Sequence, residues 1–109
     1  MEKKPKKSIN QEIREVAHDM AKGLYKVGAI DATTMREYDA LCLKPVKELS
    51  PRQIKQLRFP EKVSQAVFAK FLNTSTSTVR QWEQGDKHPR GTSLKLLNLV
   101  ADKGLQLLA

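Results

Sequence analysis

A chain of 109 residues has room for one small domain with an arm, and little scaffold for a catalytic cleft. Its formal net charge is +8 and its pI about 9.8, a balance that favours a polyanionic partner such as nucleic acid. The single cysteine, Cys42, excludes an intrachain disulfide and fits a reducing compartment, and no apolar run nears the roughly 20 residues of a membrane span.

In chain order, residues 1–7 form a lysine-rich, proline-broken tail. The segment after it, Ile9–Ile30, is amphipathic and charged throughout, so the pair does not read as a secretory leader. Ser8 is placed to cap a helix, with Gln11 at the reciprocal position. Ile9, Ile13, Val16, Ala17, Met20, Ala21, Leu24 and Val27 then recur with helical spacing, and Gly28 is a stop. Asp31 or Thr33 starts a second helix, with Met35, Tyr38, Leu41 and Cys42 on one side, ended by Lys44-Pro45. Ser50-Pro-Arg-Gln53 starts a third, which Pro60 ends near Arg58–Phe59. Ser64 caps a fourth, 65–72, and Asn73 tolerates the left-handed backbone of a tight turn. Ser75 caps a fifth, 76–84, stopped by Gly85, and a last helix covers about 92–101. The pattern predicts an all-α chain: a tail over 1–7, a helical segment over 8–48 for partner binding or dimerisation, and a helical domain over 49–109.

Charge is divided unevenly. Residues 1–48 carry ten Lys/Arg and eight Asp/Glu, a net of +2, whereas residues 49–109 carry ten and four, a net of +6. The basic excess belongs to the C-terminal part, which also holds the two short helices flanking Asn73. A helix pair joined by a tight turn is a helix-turn-helix when its second helix is apolar beneath and polar outside. Ala69 is small where the helices would cross, Phe68, Leu72, Val79 and Trp82 supply the base, and Thr76, Ser77, Thr78, Arg80, Gln81 and Gln84 are polar. Glu83 is the sole carboxylate on this second helix.

Ser64-Gln-Ala-Val-Phe-Ala69, Val79-Arg-Gln-Trp-Glu-Gln-Gly85, Pro89-Arg-Gly91 and Leu96-Leu97 together resemble the lambda-repressor/Cro class, the XRE family of helix-turn-helix proteins, over about Leu49–Val100. The resemblance implies a lambda-repressor-like helical bundle with an N-terminal helical arm. It implies that Gln65 touches a phosphate or outer base, that Thr76, Ser77 and Gln81 take base-reading positions, and that Arg80 takes a phosphate or a guanine edge. The chemistry agrees, since Gln pairs with adenine, Arg with guanine, and a Thr methyl packs on thymine. The candidate DNA-contacting set is Gln65, Ser75, Thr76, Ser77, Thr78, Arg80, Gln81, Lys87 and Arg90, with Lys55, Lys70 and Lys95 as further phosphate contacts. Family likeness also implies an ion pair between Arg58 and Glu83. Pro60 and Lys62, the latter where a glycine is common, depart from the pattern.

The stretch Ile30–Ser50 is similar to HigA-type antitoxins, which pair with RelE/HigB-like toxins. That likeness implies a cytoplasmic repressor of its own operon, at the nucleoid when bound to its operator. Such a protein is a homodimer on an inverted-repeat operator in double-stranded DNA, and its N-terminal segment holds a basic, mRNA-cleaving toxin. The alternative is a stand-alone XRE-type regulator, phage-like or metabolic, without a toxin. The Ile9–Val27 stripe requires cover from the C-terminal domain, a dimer mate or a toxin, and Leu105, Leu107 and Leu108 suggest dimerisation unless they finish the domain's own core. No enzyme activity, cofactor, metal or membrane association is expected. His18 and His88 lie far apart without carboxylate or Cys/His company, and read as a helix-surface and a loop residue. Cys42 reads as a small apolar contact.

Overall fold

The computed structural model describes residues 8–109; the basic tail over 1–7 lies outside them. Every regular element among the described residues is helical. The chain divides into two compact units, one ending at Pro45 and one spanning Val46–Ala109.

The first unit is a helix pair, α1 (Ile9–Lys26) and α2 (Ala32–Leu41). The Ser8 hydroxyl accepts the Gln11 N–H at 3.1 Å, and α1 runs through Gly23 to end where Gly28 adopts φ +81°. Ala29 and Gly28 return their N–H groups to Leu24 and Tyr25, so the last carbonyls are satisfied. Asp31, rather than Thr33, caps α2 by accepting the Thr34 N–H at 2.8 Å, and that bond holds its carboxyl below the usual range. Helix α2 stops at Leu41, short of Lys44-Pro45, with the Cys42 N–H turned back to Asp39.

The two helices meet through small and polar groups. Ala21 and Met35 are buried, His18 Nε2 lies 2.6 Å from Asp39 Oδ1, and the Cys42 thiol donates to the Arg14 carbonyl at 3.3 Å. His18 is therefore a half-buried tie between helices rather than a surface residue. Its hydrogen bond, supported by Arg36, keeps the Asp39 carboxyl below its ordinary range. The apolar stripe of α1 lies elsewhere on the helix and is open: Ile9, Val16, Met20 and Val27 keep 75%, 60%, 66% and 77% of their surface exposed.

The second unit contains α3 (Pro51–Gln56), α4 (Gln65–Leu72), α5 (Thr76–Gln84), α6 (Thr92–Lys103) and a closing 3-10 turn, Leu105–Leu108. Ile54, Phe68, Ala69, Leu72, Val79, Trp82, Leu97, Val100 and Leu105 form one core, with Leu49, Leu57, Val63, Phe71, Leu96 and Leu108 against it. Leu105 and Leu108 thus complete the domain's own core, and of the three C-terminal leucines Leu107 alone is exposed. Helix α3 is shorter than its pattern suggested. Pro60 has no N–H for the Gln56 carbonyl, and residues 57–62 leave the helix as turns. The connection closes with Lys62 at φ +54°, which explains why glycine would suit that position. At the other end, α6 continues two residues past Ala101 until Gly104 stops it at φ +84°.

The connector into this unit is pinned by Asn98 of α6. Its carboxamide oxygen accepts the Lys47 N–H at 2.9 Å, and its nitrogen donates to the carbonyls of Lys47 at 2.8 Å and Leu94 at 2.9 Å. Side-chain pairing of this kind replaces a strand partner for an otherwise extended segment.

Two stability changes follow. Lys62→Gly removes a left-handed side-chain penalty of about 1 kcal/mol and raises the urea midpoint without changing the m-value. Asn98→Ala strips three hydrogen bonds and costs about 2 kcal/mol in the same measurement.

Candidate nucleic-acid interface

Each helix of the α4–turn–α5 pair starts on a serine. Ser64 accepts the Val67 N–H at 3.2 Å and Ser75 accepts the Thr78 N–H at 3.1 Å, so the first-turn donors are satisfied locally. Between them Asn73 takes φ +56°, and the Thr74 N–H closes onto Ala69 at 2.9 Å. Asparagine adopts this left-handed backbone more readily than most residues. Gly85 ends α5 in the same way, with Asp86 N–H bound to Gln81 carbonyl at 3.0 Å.

Helix α5 is strongly two-faced. Val79 and Trp82 are buried, at 0% and 5% exposure, and Ala69 of α4 is buried at 1%. Because those residues fix the inner side, the opposite side presents Ser77, Arg80 and Gln84 to solvent. Thr76, Thr78 and Gln81 are half-buried on its flanks. Gln84 was not among the residues singled out for DNA contact, although its spacing of seven from Ser77 and four from Arg80 places it on the same stripe. Ser75 and Thr78 share a hydroxyl–hydroxyl hydrogen bond of 2.7 Å, so part of their bonding capacity is spent on each other. Beyond α5, Lys87 and Arg90 are exposed around the buried Pro89, which seats their loop. Lys55 and Lys70 are exposed and Lys95 is half-buried.

Beneath this surface lies an ionic knot. Arg58 donates through Nε and Nη2 to both Glu83 carboxylate oxygens, at 2.8 and 2.6 Å, and through Nη1 to the Val63 carbonyl at 3.2 Å. Gln65 donates Nε2 to Glu83 Oε1 at 3.2 Å. The Arg58 and Glu83 side chains keep only 12% and 3% of their surface. The planar guanidinium matches the carboxylate in a two-bond fork, the strong form of such a contact. One consequence is electrostatic: the only carboxylate of α5 is neutralised and turned from the exposed stripe. Another concerns Gln65, whose amide N–H is engaged internally while its oxygen stays available to a donor.

No group of three or more His, Cys, Asp or Glu side chains is arranged to hold a metal ion among the described residues, and none of the described helices is long and apolar enough to cross a membrane.

The Helix-turn-helix family model matches residues 54–108. Among curated proteins, Antitoxin HigA-2 of Vibrio cholerae serotype O1 is 42% identical over 52 residues, which is 48% of this chain and 50% of that protein. The chain therefore spans about half the length of the curated relative it matches.

Removing either partner of the ionic knot leaves a desolvated charge alone. Glu83→Ala and Arg58→Ala should each cost about 3 kcal/mol in chemical denaturation. The double variant should cost less than the sum of the two, which reads the pair's coupling directly.

Proposed function

The chain belongs to the Helix-turn-helix family, and from that premise we propose that it is a sequence-specific transcriptional repressor and the antitoxin of a toxin–antitoxin pair. The observation that carries DNA recognition is α5 itself: Ser77, Arg80 and Gln84 stand outward over a dry Val79–Trp82 base, and its one carboxylate is bound to Arg58. A helix of this composition enters a major groove with its amide, guanidinium and hydroxyl groups toward base edges. Thr76, Ser77, Arg80, Gln81 and Gln84 read the operator. Gln65, Ser75, Thr78, Lys87 and Arg90 take the flanking backbone. The excess of positive charge in residues 49–109, +6 against +2 upstream, supplies attraction for phosphate.

The antitoxin reading draws on likeness to Antitoxin HigA-2 and on the acids of the first unit. Acids such as Glu15, Asp31, Glu37 and Asp39 suit a basic, RelE/HigB-like ribonuclease, and the second unit then represses the operon encoding the pair. A two-fold dimer on an inverted repeat follows from this reading, with half-sites one or more helical turns apart.

Arg80→Ala combined with Gln81→Ala should abolish the shift of the upstream operator in a gel assay and leave the helical circular-dichroism signal intact. A normal shift by that variant would refute the assigned reading face. Lys87→Ala should weaken binding to all sequences alike and reduce the log–log salt slope by about 0.9. Co-expression with the neighbouring gene product tests the other half: a small basic protein should copurify, and its growth arrest should be relieved. Absence of both outcomes would point to a DNA-binding regulator without a toxin.

A further inference from the structure

Ile9, Ile13, Val16 and Met20 along one side of α1, with Val27 at its C-cap, stay exposed and pack on nothing among the described residues of the first unit. Helix α2 takes the side bearing Arg14, His18 and Ala21. Ile13, Met20 and Val27 are seven residues apart, and so are Ile9, Val16 and Gly23, so the open stripe is a heptad seam with the first three at a and the others at d. Gly23 is the exception to its apolar character and the most informative member. A Cβ built there meets nothing within 4 Å, so nothing among the described residues requires a glycine inside this helix.

We propose that this stripe is the seam of a homodimer, formed when α1 of a second copy packs on it antiparallel. The register is set by the side chains. An antiparallel two-fold places a against d, which pairs Ile9 with Val27, Val16 with Met20, and Ile13 with Gly23. The glycine becomes the hole that receives the isoleucine. The flanking residues on the side away from α2 are Glu12, Asp19 and Lys26. In this register Glu12 of each copy faces Lys26 of the other, giving two attractive pairs. Asp19 meets its own mate at the centre, with Lys22 at 3.9 Å in each copy to offset the repulsion. A parallel pairing instead stacks Gly23 on Gly23 and sets Glu12 and Asp19 across from Ala17 and Leu24, where no ion pair forms.

Two helices of 18 residues run side by side for about 27 Å. Such a seam falls short of the roughly 800 Å² per partner of a standard interface. The free protein is therefore expected to associate weakly, and two adjacent half-sites on DNA raise the effective concentration.

Sedimentation equilibrium of the full chain at low salt reads the seam. Met20→Lys, on a side chain already 66% exposed, should leave the circular-dichroism signal unchanged and weaken association about tenfold or more. Glu12→Lys and Lys26→Glu should each weaken it about fivefold, the worth of two exposed pairs. The double swap should return it to the native value. Both swaps oppose the α1 dipole, so recovery cannot come from the helix alone. Unchanged association in Met20→Lys, or a double swap no better than either single, overturns the proposal. Loss of toxin copurification with unchanged association would assign the stripe to the toxin instead. Operator binding by Arg80 and Gln81 variants tests DNA recognition separately, so failure of one does not mimic failure of the other.

Discussion

The guanidinium of Arg58 held against the carboxylate of Glu83 is the constraint on which the second unit's surface depends. It joins three places in the chain: the turn after α3, the Val63 carbonyl before α4, and the last turn of α5. A carboxylate there would otherwise face the negative end of the helix dipole. Desolvating both charges is costly, and an apolar pair of the same shape would serve stability as well. What an apolar pair would not do is fix direction. The two-bond fork sets the rotation of α5 about its own axis, and that rotation decides which side chains leave the surface. Gln65 joins the same carboxylate, so the start of α4 and the end of α5 are oriented by one group.

Around that polar knot the packing is ordinary. Phe68 and Val79 are fully enclosed, and Ala69 is buried at the same interface. Tight interiors resist sliding, so a helix anchored by Val79 and Trp82 below and Glu83 at its end has little freedom to rotate. A reading surface built on a rigid element spends little entropy on binding. The first unit is built differently. Its helices are tied by a histidine–aspartate bond, a thiol–carbonyl contact and a buried methionine and alanine, and most of its aliphatic surface is left outside. An element with few buried apolar contacts opens at low free-energy cost and gains order from whatever covers it.

Much of this was legible in the residues. Ser8, Ser50, Ser64 and Ser75 marked helix starts because a hydroxyl before an amphipathic run satisfies orphan N–H groups. Gly28, Asn73 and Gly85 marked ends because the closing motif needs a left-handed residue. The Arg58–Glu83 geometry agrees with a pairing drawn from family likeness, and it could not have been derived from spacing, since the partners lie 25 residues apart and meet only through the tertiary fold. Sequence pattern was weakest where tertiary context decides. The same leucine periodicity fits a dimer seam and a domain core, and burial of Leu105 with exposure of Leu107 separates them. His18 looked like a surface residue because its partner, Asp39, belongs to another helix. Gln84 reads as polar from the sequence, and only the burial of Val79 and Trp82 places it on the exposed stripe with Ser77 and Arg80.

The two units treat their apolar residues in opposite ways, and that difference separates folding from assembly. The second unit encloses Ile54, Phe68, Leu97 and Leu105 and keeps its charges outside, the Arg58–Glu83 pair excepted. In α1 the aliphatic residues are outside and the small residues Ala17 and Ala21 face inward. Exposing Ile9, Val16, Met20 and Val27 to water costs roughly 25 cal/mol per Å² that could have been buried. A helix that also carries an interior glycine gains nothing from that cost within its own unit. Stability of the isolated helix pair therefore does not explain the composition of α1, whereas the proposed association would. On the proposed reading, assembly falls to the unfinished helix of the first unit and base recognition to the rigid surface of the second.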